Sequence, residues 1–384
     1  MRDESIHRLT IAYDAKRAFL NYRGLGNYSR NLLSQMAHYY GESRYLLCTP
    51  EKKDSLYPWL DKAPFECITP NGLWRLSPSL WRRCGIPKTL SDKKVDIYHG
   101  LSQELPEGIE RLGCKTVVTM HDAIFMRYPE LYSPTYRASF IRRNRSACKR
   151  ADLIIAISEQ TKRDFIEFFG VDESRIKVVY QGCSDVFWQP CTAEQRQRVK
   201  ELYHLPSKYI LCVGALEERK NQLRLIEAIA STQIKIPLVL VGRGNEAYKK
   251  QLKESAVRYG VSLLLIENAT TEHMPAIYHQ ALVFVYPSLF EGFGIPVLEA
   301  ARCQIPIVAS QGTCFEEITG EGAVYVNPLR PEEIGDSICN TLQQTEQTTL
   351  RVQSALRNTE KFRAEKIAHS LMEVYLSLGP FPHK

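Results

Sequence analysis

The chain predicts an α/β architecture in two domains, each built on a mainly parallel sheet. Three observations carry that expectation. Short apolar runs alternate with helix-compatible stretches along most of the length. The alternation changes character once, over residues 183–206, and then restarts. With 384 residues and 44% apolar content, the chain can bury more than one hydrophobic core.

The first strand is expected over HRLTIAYDA, His7–Ala15. A glycine-bearing turn follows, with Gly24 and Gly26 just ahead of a helical pattern from Tyr28 to Tyr39. YLLCTP, from Tyr45, is the next strand. Residues 51–90 hold prolines and tryptophans but little periodicity; they read as a loop-rich or partly helical insertion packed by Trp59, Trp74 and Trp81. Strands resume at Val95–Tyr98, Thr116–Met120 and Leu153–Ile157. A polar helix, Glu159–Phe169, comes next, with Ser158 placed to cap it. KVVYQG, from Lys177, is another short strand.

Residues 183–206 read as a linker with a polar helix, flanked near its start by Cys183 and Cys191. Strand-like runs then recur at Tyr209, Ile236, Val261, Leu282, Pro306 and Ala323. Helical patterns lie between them, at Asn221–Ala230, Tyr248–Arg258 and Met274–His279. The last helix is expected over Thr359–Leu376, ended by GPFP.

Charged residues make up 24% of the chain with both signs dispersed, which argues against disorder. The net charge is +7, but the basic residues form no single long block. Their densest groups are Lys93 with Lys94, and Arg142, Arg143, Arg145, Lys149 and Arg150. The second group suits a solvated helix face, or a surface turned to an anionic membrane or a phosphorylated substrate. Zinc-finger spacing and RNA-binding aromatic signatures are lacking, so nucleic acid is not an expected partner. The eleven cysteines are scattered without a C-x-x-C pair, and Cys212 and Cys303 suit small core hydrophobes. No signal-peptide pattern and no membrane-spanning apolar run is recognisable. A cytoplasmic protein is the expectation, with peripheral contact at the inner membrane face left open.

The most informative stretch is FVYPSLFEGFGIPVLEA, residues 284–300. A β-like run leads into a glycine-punctuated loop and then a helix opened by proline. Glu291 stands in the loop and Glu299 about one turn into the helix. Two carboxylates beside a helix N-terminus make a plausible anion and hydroxyl site, which a sugar nucleotide needs. An ordinary strand–loop–helix unit with two solvated glutamates would give the same pattern.

VGALEERKNQ, Val213–Gln222, adds two adjacent cations, Arg219 and Lys220, near a helix start and after Gly214. Paired cations there fit a diphosphate, although a basic surface turn is the plainer alternative. VGRGN, Val241–Asn245, offers a glycine pair for close backbone approach. Gly24–Leu25–Gly26 is not a dinucleotide fingerprint, because the third glycine and a ribose-gripping acid are missing. A phosphate-binding Walker lysine motif is also missing.

Together these residues resemble the retaining GT-B glycosyltransferases of group 1, the large family that includes sucrose synthase and many bacterial mannosyltransferases. The resemblance rests on Gly24 and Gly26, the His121–Asp122 pair, Arg219–Asn221, and EGFGIPVLEA at Glu291–Ala300 with its two glutamates eight positions apart. PIVAS and GAVYVNP add to it, and HDAIFMRYPELY around His121 is like the mannosyltransferase branch. It covers nearly the whole chain and is strongest over residues 205–335.

The resemblance implies two Rossmann-like domains facing across a cleft. Residues 1–186 would form the acceptor side and residues 187–358 the nucleotide-sugar side. Residues 359–384 would form a helix returning to the first domain. Arg219 and Lys220 would neutralise the leaving diphosphate, and Glu291 would orient the donor sugar. Glu299 would accept from ribose hydroxyls. Gly24, Gly26, Gly214, and the backbone at Phe293, Gly294 and Ile295 would approach the donor. His121 would sit near the reacting sugar, where a structural cap is the alternative, and Asp122 would orient it or touch the acceptor.

The family usually needs no metal, and no cofactor is expected beyond the donor, with GDP-mannose the first choice. The acceptor would be a saccharide or lipid-linked glycan in bacterial surface polysaccharide synthesis. An epimerase of the same architecture, a glycoside hydrolase and a non-enzymatic nucleotide-binding module are the competing readings. Oligomeric state is not readable from the sequence.

Overall fold

The computed structural model describes residues 8–52 and 57–381. His7 and residues 53–56 of the expected insertion lie outside the described residues. The chain forms two compact units: Met1–Gln181 with Ala364–Lys384, and Gly182–Arg363.

The first unit holds seven strands: β1 Thr10–Asp14, β2 Arg44–Cys48, β3 Phe65–Ile68, β4 Ile97–Gly100, β5 Lys115–Met120, β6 Leu153–Ala156 and β7 Ile176–Val178. Their order is β3-β2-β1-β4-β5-β6-β7, every pair parallel. The second unit holds β8 Ile210–Val213, β9 Leu238–Val241, β10 Leu263–Ile266, β11 Val283–Tyr286, β12 Ile307–Ser310 and β13 Val324–Val326. These run β10-β9-β8-β11-β12-β13, again all parallel. The α/β expectation is met. Strands β4, β6, β8, β9, β11 and β12 are buried at every position, as parallel strands covered on both faces must be. This explains why they read as continuous apolar runs rather than as alternation.

Several elements differ from the sequence reading. Gly24 and Gly26 do not precede the helix; they form its first turn, in Gly24–Tyr39. Glycine is a poor helix former, yet a Cβ on Gly26 would stand 1.7 Å from the Asn21 carbonyl oxygen. The missing side chain lets the helix sit against that carbonyl, and Arg30 secures the turn by donating to the Ala18 and Asn21 carbonyls at 2.9 and 2.8 Å. The 51–90 segment supplies edge strand β3 as well as short helical turns. Its Trp81 is fully buried, with Trp74 packed against the same core. Helices Pro331–Leu342 and Glu346–Asn358 complete the layers and have no counterpart in the sequence reading, while helix Pro134–Arg150 extends the helix face that its basic residues suggested.

The linker helix is Ala193–Leu202, opened by a capping box in which Thr192 and Gln195 exchange backbone and side-chain bonds. At the other end of the chain the expected helix Thr359–Leu376 is broken. A 3₁₀ turn at Thr359–Phe362 gives way to extended Arg363 and then helix Ala364–Leu376. Phe362 belongs to the second unit's core, packed on Phe293 at 5.5 Å between ring centroids. Tyr375 belongs to the first. Its hydroxyl lies 2.7 Å from His99 Nδ1 and donates to Tyr13 Oη at 3.2 Å. The break falls where the chain leaves one unit for the other.

The two glycines of the first helical turn separate experimentally. A Cβ at Gly24 meets nothing within 4 Å. Gly24→Ala should therefore keep its unfolding free energy in urea within about 0.5–1 kcal/mol of wild type. Gly26→Ala should lose about 1–3 kcal/mol through forced backbone movement. Equal midpoints for the two variants would refute this packing account.

Candidate functional site

In the second sheet, β8 and β11 are neighbours whose connections leave in opposite directions, β8 towards β9 and β11 towards β12. Ligands of open α/β sheets favour the carboxyl ends of strands at such a point. β8 ends at Val213, Gly214 follows it, and a 3₁₀ turn, Glu218–Lys220, leads to Asn221. Asn221 takes a left-handed conformation (φ 61°), which asparagine tolerates better than most residues. Its Nδ2 donates to the Pro287 and Pro328 carbonyls at 3.0 and 2.7 Å. The turn is thereby pinned to the loop after β11, and Arg219 and Lys220 are carried to Glu291. Gly214 lies alongside: a Cβ there would be 3.7 Å from Lys220 Cε, and its carbonyl crowds Gly242, where a Cβ would come within 1.8 Å.

Glu291 is nearly buried and concentrates its contacts on one oxygen. Oε1 receives Lys220 Nζ at 2.5 Å, Ser288 Oγ at 2.5 Å and Tyr286 Oη at 3.3 Å, with Arg219 NH1 at 2.9 Å. Arg219 also donates to the Phe290 carbonyl at 2.7 Å and to Glu217 at 2.6 Å. Lys220 also donates to Tyr286 Oη at 2.8 Å, which leaves one of its three protons uncommitted among the described residues. Burial alone would raise the Glu291 pKa. Lys220 and Arg219 outweigh it and pull the carboxyl down to about 2. Burial likewise opposes the Arg219 charge, and Glu291 with Glu217 more than restores it. The arrangement is a carboxylate held ionised against a guanidinium and an ammonium. It is suited to exchanging partners with an incoming anion and unsuited to donating a proton.

Gly294 opens the helix Ile295–Arg302 in a conformation (φ 113°) that disfavours side chains, and a Cβ would meet the Phe315 ring at 2.7 Å. The Phe293 side chain is core, so only its backbone could reach a ligand. Ile295 is partly exposed as the first residue of the helix. One turn on, Glu299 accepts from Tyr278 Oη at 2.8 Å. Burial pushes its carboxyl up to about 7, against the pull of that bond. The two glutamates therefore have opposite characters.

The remaining expected residues lie in the first unit and are described by themselves. His121 follows β5 and is buried. Its Nε2–H donates to the Leu101 carbonyl at 2.8 Å, and the Tyr28 ring meets the imidazole edge-on at 4.7 Å between centroids. Burial lowers its pKa to about 4, with the Leu101 bond opposing. The ring is neutral at pH 7, with its lone pair on Nδ1. Asp122 Oδ1 accepts from the Ile124 N–H at 3.2 Å, while the hydrogen bond that fixes the His121 ring is the one to Leu101. Tyr28 comes from the Gly24–Tyr39 helix, so the glycine turn and His121 share one neighbourhood. Ser158 caps helix Glu159–Phe169 through the Thr161 N–H.

Sequence reasoning missed Tyr286, Ser288 and Tyr278 as partners of the two glutamates. The Tyr-Pro-Ser run between β11 and Glu291 carried the only available signal, polar groups at a strand's carboxyl end. Tyr278 lies in a different helix from Glu299 and gave none. No three His, Cys, Asp or Glu side chains cluster as a metal site among the described residues. None of their helices is long and apolar enough to cross a membrane. All eleven cysteines are free.

Residues 193–355 match the family described as "Glycosyl transferases group 1", and residues 22–185 match "Glycosyltransferase Family 4". Over 293 residues the chain is 29% identical to O-antigen chain mannosyltransferase B of Escherichia coli, covering 74% of this chain and 75% of that one. Over 296 residues it is 30% identical to the serotype-specific mannosyltransferase WbdA of Escherichia coli, covering 74% of this chain and 36% of that one. The crystal structure of Anabaena HepE in complex with UDP superposes with a TM-score of 0.75 over 97% of this chain and all of that one, at 19% identity. That likeness is one of fold.

The Glu291 cluster has a measurable signature. Glu291→Gln leaves two buried cations facing a neutral amide and should lower stability at pH 7 by about 3 kcal/mol. The Glu291 contribution is fully present above about pH 4.5 and is lost as pH falls towards 2. The difference between variant and wild type should therefore shrink over that range in urea titrations. A pH-independent difference would show that the charge contributes nothing.

Proposed function

This chain belongs to the group 1 glycosyltransferases and has the GT-B fold, and we propose that it transfers mannose, with retention of anomeric configuration, from GDP-mannose to a saccharide or lipid-linked glycan. The carrying observation is the Arg219–Lys220 pair held against Glu291 at the switch point of the second sheet. The mannosyltransferase names of the Escherichia coli relatives support the sugar, and the O-antigen chain in the name of the first supports an acceptor in surface polysaccharide assembly.

In this reading Arg219 and Lys220 hold the donor diphosphate. Negative charge grows on the leaving phosphate as the bond from the sugar's C1 breaks, so fixed cations stabilise the transition state more than the bound donor. Glu291 keeps both cations aligned and offers Oε2 to donor hydroxyls. Its low pKa and its crowd of donors make it a poor nucleophile. Front-face attack follows: the acceptor oxygen bonds to C1 on the side the phosphate leaves, and its proton passes to the departing phosphate oxygen. His121 Nδ1 accepts from a sugar hydroxyl. Gly24 and Gly26, with the backbone at Gly214, Phe293, Gly294 and Ile295, give close approach to the donor. Asp122 contributes on the acceptor side. Glu299 accepts from the ribose.

Calorimetric titration with GDP, UDP, ADP and TDP tests the donor. Selective GDP binding is expected. Preference for another base would overturn GDP-mannose alone, and a folded sample that binds none would sink the transferase mechanism drawn here. The same titrations read out Glu299. A bound ribose favours the carboxylate, so affinity should fall about fivefold between pH 8 and pH 6, and Glu299→Gln should abolish that slope.

Mass spectrometry of wild type incubated with donor should show no covalent sugar. A glycosyl ester on Glu291 would replace front-face attack by double displacement.

A further inference from the structure

The basic residues of helix Pro134–Arg150 have no part in the donor chemistry. Their spacing sorts them. Arg142, Arg143 and Arg150 fall, with Ser139 and Ser146, on one helix face, and that face lines a cavity of about 550 Å³ within the first unit. Arg145 and Lys149 are exposed elsewhere on the helix and do not line it. Asp14, the last residue of β1, and Glu104, just beyond β4, form the floor. β1 and β4 are neighbours whose connections leave in opposite directions, to β2 and to β5. The cavity therefore stands at the carboxyl-end switch point of the first sheet, the position that in the second sheet holds the Glu291 cluster.

Its charges are fixed but not balanced. Buried Asp14 is met by Arg82, with Nε at 3.1 Å from Oδ1 and NH2 at 2.5 Å from Oδ2. Glu104 gives one oxygen to Arg82 and the other to Arg143, each at 2.5 Å. Arg83 pairs with Glu107 at the exposed rim. Arg150 is held mainly by the Pro106 and Leu105 carbonyls at 2.6 and 2.8 Å, with a carboxylate no nearer than Glu110 at 3.5 Å. Arg142 has no hydrogen bond or ion pair among the described residues. Five guanidiniums thus face three carboxylates across the cavity. Ser79, Ser139 and Ser146 also line it, and Ser146 Oγ accepts from Arg150 Nε at 3.3 Å.

Pre-aligned guanidinium forks with hydroxyls around a concavity complement a phosphate dianion. A cavity of this size takes a discrete head group, whereas a bilayer surface cannot enter it. We propose that this cavity is a subsite for a phosphate or diphosphate ester carried by the acceptor, with Arg142 as its uncommitted ligand. The inference rests on the transferase reading for the word acceptor, while the anion site itself does not.

The test uses the full chain saturated with nucleoside diphosphate, so that the donor diphosphate position is filled, and titrates inorganic pyrophosphate by calorimetry. One-to-one binding is expected, weakened at least tenfold in Arg142→Gln and unchanged in Arg145→Gln. Both residues are exposed, so the variants should fold. No pyrophosphate binding by wild type, or equal weakening in both variants, would overturn the proposal. Mannose 1-phosphate and farnesyl diphosphate then distinguish a soluble phosphate ester from a lipid diphosphate. Both should lose affinity in Arg142→Gln, and the tighter of the two identifies the source. Phosphatidylglycerol vesicles that bind wild type and are released by both variants alike would make the face a membrane contact instead. Pyrophosphate binding by a chain that binds no nucleotide would reject the transferase mechanism and leave the anion site standing.

Discussion

A carboxylate buried against two cations is the constraint on which the second unit's site depends. Glu291 joins the turn after β8 to the loop after β11, the tips of two adjacent strands. Removing three charges from water is costly, and only dense hydrogen bonding offsets that cost. Ser288, Tyr286, Glu217 and the Phe290 carbonyl supply it. The same bonds hold Arg219 and Lys220 in one geometry before any ligand arrives. A transferase that works by electrostatic stabilisation needs its cations in place ahead of the charge they stabilise.

The first unit solves a different problem with related means. Its chain of hydroxyls and one imidazole is fully buried. Tyr375 and Thr119 each lie 2.7 Å from a nitrogen of His99, and Tyr28 Oη is 3.0 Å from Thr119 Oγ1. Burial lowers the His99 pKa to about 3, so the ring stays neutral and the network carries no charge. It ties the last helix of the chain to strands β4 and β5, and through Tyr28 to the ring beside His121. A neutral network suits positioning, whereas the charged cluster of the second unit suits a diphosphate. At the end of β1 the first unit also has a charged knot, Asp14–Arg82–Glu104, which organises the arginine-lined cavity.

Much of the fold was legible because parallel strands covered on both faces read as unbroken apolar runs, and twelve of the thirteen strands stand where such runs lie. β3 escaped: FECI carries a glutamate and sits at the sheet edge, where one flank needs no apolar cover. The break at Arg363 was also invisible, since the apolar spacing of Thr359–Leu376 is helical throughout. Phe362 and Tyr375 are each claimed by a different core, and the backbone extends between them.

The sequence by itself determined the α/β class, the interruption near residue 183, and the local strand–loop–helix frames that carry Arg219, Lys220, Glu291 and Glu299, because these follow from periodicity and short-range turn chemistry. Tertiary structure decided what each group became. Two glutamates eight positions apart are equivalent in the sequence, yet one is ionised down to about pH 2 by cations from another strand's turn, and burial beside Tyr278 pushes the other up to about 7. Five basic residues in one short segment are likewise equivalent until the helix turns three of them towards a cavity and the other two away from it. Desolvation and through-space charge set the difference between the two glutamates, and both depend on neighbours distant in sequence.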